Sequence, residues 1–236
     1  MIELNNISFS YGSKAVLNNF SLLINKGEIT CLLGSSGCGK TTILRLIAGL
    51  EVPDAGIVKM NDRILSQKNE LIVSPDKRNL GFIFQDLALW PHFTVYKNIA
   101  FGLQEQKIPD IEEKVTNILD YFGISDLSKK YPHQLSGGQK QLVAIARSLV
   151  PGPEVLLMDE PLSNLDVHLK RKILDHIKKL KTNFNITIVY VTHDHREAFA
   201  IADKVVVLNE GKIEKAGSVA DIKRSENTYL KSFLEY

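Results

Sequence analysis

The sequence predicts an α/β fold in which helices cover both faces of a mainly parallel sheet. Short, continuously apolar segments such as EITCLLG, EVLLMDE and ITIVYVTHD are typical of buried strands. Segments with helical periodicity alternate with these strands along the chain, as parallel sheets require. The 236 residues suffice for one large domain or two small ones, and the 44% hydrophobic content suits an ordinary globular core.

The elements follow in chain order. Alternating apolar and polar positions in the first 30 residues predict an antiparallel β unit, before the strand EITCLLG and the helix KTTILRLIAGL. VPDAG indicates a turn and LGFIFQ a strand, and residues from about 86 to 152 are predicted to be mostly helical. The strand EVLLMDE, a helix near Leu169, the strand ITIVYVTHD and the helix REAFAIAD come next. KVVVLNEGKIEKAG then predicts a hairpin with its turn at NEG.

Composition limits the function classes. The net charge of +2 gives no general argument for binding nucleic acid or an anionic membrane. No apolar run approaches the roughly 18 residues that a membrane span needs, and MIELNN is not a secretory signal. We therefore expect a cytoplasmic protein. Cys31 and Cys38 are too few for a disulfide framework and lack metal-site partners, so both are expected to be packing residues.

A glycine-rich phosphate loop follows the first predicted buried strand. GSSGCGKT matches the P-loop pattern, with a strand before it and a helix after it. Its glycines let consecutive N–H groups point at a phosphate, Lys40 can reach the β- and γ-phosphates, and the Thr41 hydroxyl can bind Mg²⁺. The predicted nucleotide-binding residues of this segment are Gly34, Ser35, Ser36, Gly37, Cys38, Gly39, Lys40, Thr41 and Thr42.

Polar residues at three other strand ends complete a predicted hydrolytic site. Asp159 can hold Mg²⁺, and Glu160 can polarise an attacking water, because neighbouring strand residues point to opposite sides. Gln85 can contact Mg²⁺ or water, and His193 can donate a hydrogen bond to the γ-phosphate. The carboxyl ends of parallel strands share one crevice, so we expect these side chains to meet the P-loop.

A second helix start of the phosphate-binding type occurs about a hundred residues after the P-loop. In LSGGQ, Ser136 is placed to cap a helix, and helix N-termini attract anions through free N–H groups and the helix dipole. The P-loop already provides a phosphate site, so the sequence raises the question of what the second one binds.

With LSGGQ added, the chain resembles the nucleotide-binding subunits of ATP-binding cassette (ABC) transporters. The resemblance covers nearly all of the chain and includes, in order, Tyr11, GSSGCGKTT, Gln85, LSGGQ, VLLMDE, SNLD and His193. It implies one domain over residues 1–236, with a P-loop NTPase (RecA-like) core. An N-terminal antiparallel β subdomain and a helical subdomain inserted at about 86–152 complete that domain. Many such relatives carry a C-terminal regulatory domain; because this sequence ends soon after KRSENTYLKSFLEY, we expect that domain to be absent.

The same resemblance implies the mechanism and the partners. Two copies, or one copy and a homologous cassette, associate head to tail, so that Ser136, Gly137, Gly138 and Gln139 of one close over ATP held by the P-loop of the other. SNLD joins the copies and Tyr11 stacks on adenine. The expected cofactors are ATP and Mg²⁺. The expected partners are an integral membrane permease at the cytoplasmic face of the membrane and, in the complex, a solute-binding protein; nucleic acid is not expected.

The resemblance is greatest to importers of iron(III), polyamines, sugars or oxyanions. One departure is that Lys140, Gln141 and Leu142 stand where most relatives have a glutamine pair and arginine, which affects fine contacts to the neighbouring copy. We also expect Leu87, Leu89 and Trp90 to form an exposed groove for a short helix of the permease. The residues at helical spacing that follow, Val95, Ile99 and Leu103, are expected in the core.

Three alternatives remain. ABC proteins that act on DNA or ribosomes usually have coiled-coil insertions, zinc cysteines or tandem cassettes, which this sequence lacks. A P-loop kinase or GTPase leaves LSGGQ unexplained, and no NKxD guanine-reading motif is present. A scaffold with inactive sites is disfavoured because Lys40, Asp159, Glu160 and His193 are all retained.

Overall fold

A computed structural model describes residues 1–227 and 229–230. Within these residues the chain forms two β-sheets and seven α-helices, which agrees with the predicted α/β class. The predicted domain extends to residue 236, so its residue 228 and residues 231–236 lie outside the described residues.

The larger sheet is almost entirely parallel and contains the P-loop strand near its centre. Its six strands, in spatial order, are β11 (Lys212–Gly217), β10 (Lys204–Asn209), β3 (Ile29–Gly34), β9 (Thr187–Thr192), β8 (Val155–Asp159) and β7 (Leu80–Ile83). All neighbours are parallel except β10 and β11, which form the predicted hairpin. The carboxyl ends of the five parallel strands therefore lie along one edge.

The smaller sheet is antiparallel and includes the predicted N-terminal β unit. Its strands, in spatial order, are β2 (Lys14–Ile24), β1 (Ile2–Tyr11), β4 (Ala55–Met60), β5 (Arg63–Gln67) and β6 (Glu70–Leu71). β1 pairs with both β2 and β4, so a segment that follows the first helix completes the N-terminal unit.

The helices fall into two groups. Four of them each follow a strand of the larger sheet: α1 (Lys40–Ala48), α5 (Val167–Asn183), α6 (His195–Ile201) and α7 (Val219–Lys223). Three more lie between β7 and β8: α2 (Val95–Glu105), α3 (Ile111–Phe122) and α4 (Gly137–Leu149). This second group falls inside the range 86–152 expected to be helical, and the division of the chain into subdomains stays a prediction.

Strand β3 contributes to two hydrophobic cores, because its alternate side chains point to opposite faces of the sheet. Cys31 and Leu33 are buried with residues of α2–α6, whereas Leu32 is buried with α1 and the antiparallel sheet. The predicted covering of both sheet faces is confirmed. Two predicted strands are longer than the observed ones. β7 ends at Ile83, two residues before Gln85, and β9 ends at Thr192, one residue before His193.

A buried arginine ties α1 to the antiparallel sheet. Arg78 is 1% exposed, and its guanidinium donates to the carbonyl oxygens of Leu46, Ile47, Leu65 and Val73 at 2.7–3.3 Å. Two of these acceptors belong to the last turn of α1, whose carbonyls have no partner within the helix. Burial lowers the Arg78 pKa to about 10, so the group stays charged near neutral pH.

We predict that Arg78→Ala lowers the free energy of unfolding by about 3 kcal/mol, because four hydrogen bonds from a buried guanidinium are lost at once. Urea unfolding followed by circular dichroism measures the change. Arg63→Ala on the exposed side of β5 is the control, with an expected change within about 0.5 kcal/mol. Equal losses in the two variants would contradict a structural role for the buried guanidinium.

Candidate active site

A cleft of about 540 Å³ lies at the edge where the parallel strands end. It brings together residues from β1, the P-loop, the segment after β7 and the segment after β8. The cleft is lined by Tyr11, Lys14, Ala15, Val16, Ser36, Gly37, Gly39, Lys40, Thr41, Thr42, Gln85, Glu160, Glu210 and Gly211.

The P-loop forms the floor of this cleft between the end of β3 and the start of α1. Gly37 (φ 81°) and Gly39 (φ 104°) adopt left-handed conformations that favour glycine. Lys40 is 4% exposed, and its Nζ donates to the carbonyl oxygens of Gly34 and Ser35 at 2.8 Å each. Apart from Gly37 and its two chain neighbours, no heavy atom lies within 4 Å of the position that a Gly37 Cβ would take, so the loop is open at this position.

Close backbone packing fixes the first glycine of the loop. A Cβ at Gly34 would lie 2.3 Å from the carbonyl oxygen of Leu208 in β10 and 2.8 Å from Cys38 Sγ. Cys38 itself is buried, with its Sγ 3.8 Å from Lys40 Nζ. Burial raises the pKa of the Cys38 thiol, so the thiol stays protonated and acts as a packing residue.

Thr41 and Asp159 bring a hydroxyl and a carboxylate together across the sheet. Thr41 Oγ1 donates to Asp159 Oδ1 at 2.9 Å. Burial raises the pKa of the Asp159 carboxyl, against the opposing effect of the Thr41 hydrogen bond. Oxygen ligands of this kind, completed by phosphate oxygens and water, suit Mg²⁺, so the residues present fit the expected ion. No cluster of three or more His, Cys, Asp or Glu side chains that could hold a metal occurs within residues 1–227 and 229–230.

Glu160 faces a different partner from Asp159, but not for the reason expected from strand alternation. β8 ends at Asp159, and Glu160 adopts a left-handed conformation with φ 43°. Its N–H donates to the Val191 carbonyl at 3.0 Å, and its Oε2 lies 3.0 Å from His193 Nδ1. A left-handed backbone conformation therefore places the Glu160 carboxylate next to His193. Strained conformations of this kind are concentrated at functional sites.

Gln85 and Tyr11, which are predicted site residues, both line the cleft. Gln85 lies two residues beyond the end of β7 and lines the cleft together with Glu160. Tyr11, the last residue of β1, is 44% exposed; it packs edge-to-face on Phe9, and its hydroxyl donates to Glu51 at 3.1 Å. An exposed aromatic ring that is supported by a neighbouring side chain, as Tyr11 is by Phe9, can stack on a base.

The LSGGQ segment lies apart from this cleft. Ser136 Oγ accepts from the Gln139 N–H at 3.3 Å, and Gln139 Oε1 accepts from the Ser136 N–H at 2.9 Å, which makes the capping box of α4. Gly137 lines a second pocket of about 250 Å³ with Gln85 and Leu165, and none of Ser136, Gly137, Gly138 and Gln139 lines the P-loop cleft. The LSGGQ helix start therefore does not line the cleft that contains the P-loop of the same chain.

The three residues predicted to form an exposed groove, Leu87, Leu89 and Trp90, are each partly buried, and their role as a groove for the permease stays a prediction. The Arg147 guanidinium donates to the carbonyls of Leu87 and Ala88 and lies 4.9 Å from the centre of the Trp90 ring. The Trp90 ring also packs against the Phe101 ring, with 4.6 Å between ring centres and 50° between ring planes. The segment is thus fixed on α2 and α4. The other part of the prediction is confirmed: Val95, Ile99 and Leu103 are buried.

The sequence analysis did not identify five residues that line the cleft, namely Lys14, Ala15, Val16, Glu210 and Gly211. The β10–β11 turn reaches the P-loop, because the Gly211 N–H donates to the Cys38 carbonyl at 3.2 Å. The predicted NEG turn was an available signal, since it follows a strand that ends at the same edge as the P-loop strand.

Taken together, a P-loop on β3, a threonine–carboxylate pair and a glutamate–histidine pair at one sheet edge define the class of P-loop NTPases. Comparisons with known proteins narrow this class. The family model "ABC transporter" matches residues 17–163. The chain belongs to the ABC transporter family.

Several curated relatives match almost the whole chain. The spermidine/putrescine import ATP-binding protein PotA of Vibrio cholerae is 41% identical over 99% of the chain and 62% of its own length. The sulfate/thiosulfate import ATP-binding protein CysA 2 of Chromobacterium violaceum is 47% identical over 91% of the chain and 58% of its own length. The Fe(3+) ions import ATP-binding protein FbpC of Photobacterium profundum is 41% identical over 99% of the chain. The chain thus spans about three fifths of the length of the first two relatives.

A solved structure supports the fold directly. The dimeric post-hydrolysis structure of the ATP-binding cassette MJ0796, bound to ADP and Pi, superposes with a TM-score of 0.81 at 29% identity. The match covers 93% of this chain and 99% of that chain. The predicted fold, a P-loop core with an antiparallel sheet and inserted helices, is therefore that of an ATP-binding cassette. Within the described residues, no helix has the length and apolarity needed to cross a membrane.

Proposed function

We propose that this chain is the ATP-binding and ATP-hydrolysing subunit of an ABC transporter that imports a solute. The single observation that supports this most is the convergence of Lys40, Thr41, Gln85 and Glu160 on one cleft, while the LSGGQ helix start faces elsewhere. A phosphate site completed by a second copy explains both arrangements.

Each cleft residue has a role in this proposal. The P-loop N–H groups and Lys40 bind the phosphates, and Tyr11 stacks on the adenine ring. Thr41 and Asp159 hold Mg²⁺, with Gln85 beside them, and the ion neutralises phosphate charge when it is bound. Glu160 accepts a proton from the attacking water, and His193, which contacts Glu160, donates a hydrogen bond to the γ-phosphate.

Dimerisation follows from the position of LSGGQ. Ser136, Gly137, Gly138 and Gln139 of one copy cover the γ-phosphate held by the other copy, so the closed dimer is stable only while that phosphate is present. The dimeric cassette MJ0796 supports this arrangement by similarity. A homologous cassette in place of the second copy satisfies the same geometry.

The proposed membrane partner is an integral permease, with this chain bound peripherally at the cytoplasmic face and a solute-binding protein present in the complex. The relatives named above are import proteins for a polyamine, an oxyanion and a metal cation, at 41–47% identity to this chain. Because identity barely differs between these solutes, we infer that the permease and the solute-binding protein select the solute.

We predict that Glu160→Gln slows ATP hydrolysis by roughly 10²–10⁴-fold while ATP binding is kept, because the amide retains the shape but not the basicity of the carboxylate. Phosphate release measures the rate, and size exclusion with ATP should show the variant accumulating as a dimer. Glu154→Gln, at the opposite end of β8, is the control. A Glu160→Gln rate equal to the wild-type rate removes Glu160 from the mechanism.

A second prediction concerns the shared phosphate site. Gly137→Asp should abolish hydrolysis without weakening ATP binding to the monomer, because the helix start serves the neighbouring copy. Mixing it with a Lys40→Ala copy should restore one working site per mixed dimer, formed by the intact P-loop of the first and the intact LSGGQ of the second. The two-copy arrangement fails if Gly137→Asp weakens monomer binding as much as Lys40→Ala does.

A third prediction concerns the permease. Trp90→Ala should leave the ATPase of the isolated protein intact but weaken pull-down of the permease, since aromatic anchors at interfaces often contribute roughly 2 kcal/mol or more. Because Trp90 packs on Phe101 and Arg147, Trp90→Phe tests whether packing alone restores binding. The exposed Phe184 provides the control variant Phe184→Ala. Normal permease binding by Trp90→Ala would place the docking surface elsewhere.

A further inference from the structure

Glu197, four residues after His193, has a buried carboxylate that accepts hydrogen bonds from three side chains. Glu197 of α6 is 4% exposed. Its Oε2 accepts from the Tyr190 and Thr192 hydroxyls at 2.9 Å each, and its Oε1 accepts from Lys170 Nζ at 2.6 Å. A buried charge is costly unless it is paired and hydrogen-bonded, and this one is both.

The hydrogen bonds of Glu197 fix the backbone on both sides of His193. Thr192, which donates to Glu197, is the last residue of β9, and its Oγ1 also accepts from the Asp194 N–H at 3.0 Å. The His193 side chain is 58% exposed and is oriented by its contact with Glu160. Since little packs on the imidazole, its position depends on a backbone segment that Glu197 holds.

The lysine connects this segment to a second loop of the site. Lys170 lies in the first turn of α5, whose N-cap is Asp166, the last residue of the SNLD loop. The Asp166 side chain accepts from the Leu169 N–H at 3.0 Å, and its carbonyl accepts from the Lys170 N–H at 2.9 Å. The Lys170–Glu197 ion pair therefore joins the start of α5 to the start of α6.

Stability alone does not require a charged pair here, because apolar residues of similar volume often stabilise a buried position as well or better. A pair of fixed length and direction, in contrast, sets the distance between two loops. A second ion pair joins α5 to the segment after α6: Lys181, in the last turn of α5, lies 2.8 Å from Asp203. This second pair provides a matched control, because none of its described hydrogen bonds involves Thr192, Asp194 or Asp166.

We propose that Glu197 and Lys170 are positioning residues for hydrolysis, which hold His193 and the SNLD loop in register with each other. The proposal rests on the proposed function, because it assigns these residues a role in the same ATPase site. Among the described residues, no hydrogen bond or ion pair joins either side chain to the cleft lining, so both act through Thr192, Asp194 and Asp166.

The test compares Lys170→Met and Glu197→Gln with Lys181→Met. We expect Lys170→Met to lower kcat on the order of tenfold or more, since small misplacements of catalytic groups have effects of this size. The KM for ATP should change by no more than about twofold, because the P-loop is untouched. Lys181→Met should keep the wild-type kcat. Thermal unfolding of all three variants separates a loss of folded protein from a loss of rate.

A second measurement needs no activity. The imidazole resonances of His193, assigned from their loss in His193→Ala, should move in Lys170→Met and stay in place in Lys181→Met. The proposal is overturned if these resonances stay at their wild-type positions in Lys170→Met, or if its kcat falls no further than that of Lys181→Met. If the wild-type protein hydrolyses no ATP, the proposed function fails, while the resonance comparison still tests the positioning of His193.

Discussion

The parallel pairing of β3, β9 and β8 is the constraint on which the candidate site depends. Leu33 in β3 pairs with Thr192 in β9, and Val191 in β9 pairs with Asp159 in β8. In this register the P-loop, His193 and Glu160 all lie at the edge where the parallel strands end, although more than 150 residues separate Gly34 from His193 along the chain. A slip of one residue would turn each apolar strand residue to the other face. The two cores on either side of β3 therefore also hold the site in place.

Much of this arrangement could be predicted from the sequence, because apolar strands and glycine-rich turns leave strong local patterns. The strands, the helices and the meeting of strand ends at one edge all follow from periodicity and from the geometry of parallel sheets. The separate directions of Asp159 and Glu160 were expected from strand alternation, but they arise from a left-handed turn at Glu160. Such a turn depends on contacts made by the folded chain, here the hydrogen bond from Glu160 to Val191.

Features set by contacts between distant segments could not be predicted. Leu87, Leu89 and Trp90 were predicted to form an exposed groove because the local sequence is apolar around a proline. The contacts of Arg147 with Leu87 and Trp90 become visible only in the folded chain. Glu197 lies in an apparently ordinary amphipathic segment, and its burial depends on donors from β9 and α5. A charged residue leaves the same local pattern whether it faces solvent or a buried network. Its role becomes visible only when its partners are known.

Arg78 has a consequence for the electric field along α1. This helix of nine residues is about 13 Å long at 1.5 Å per residue. Its N-terminus forms part of the P-loop, and its C-terminal carbonyls accept from a guanidinium whose described hydrogen bonds all end on backbone oxygens. The buried cation offsets the negative pole of the helix, so that pole subtracts less from the positive potential at the P-loop. With Arg78 at one end and a bound anion at the other, the two poles of a single helix would each face a compensating charge.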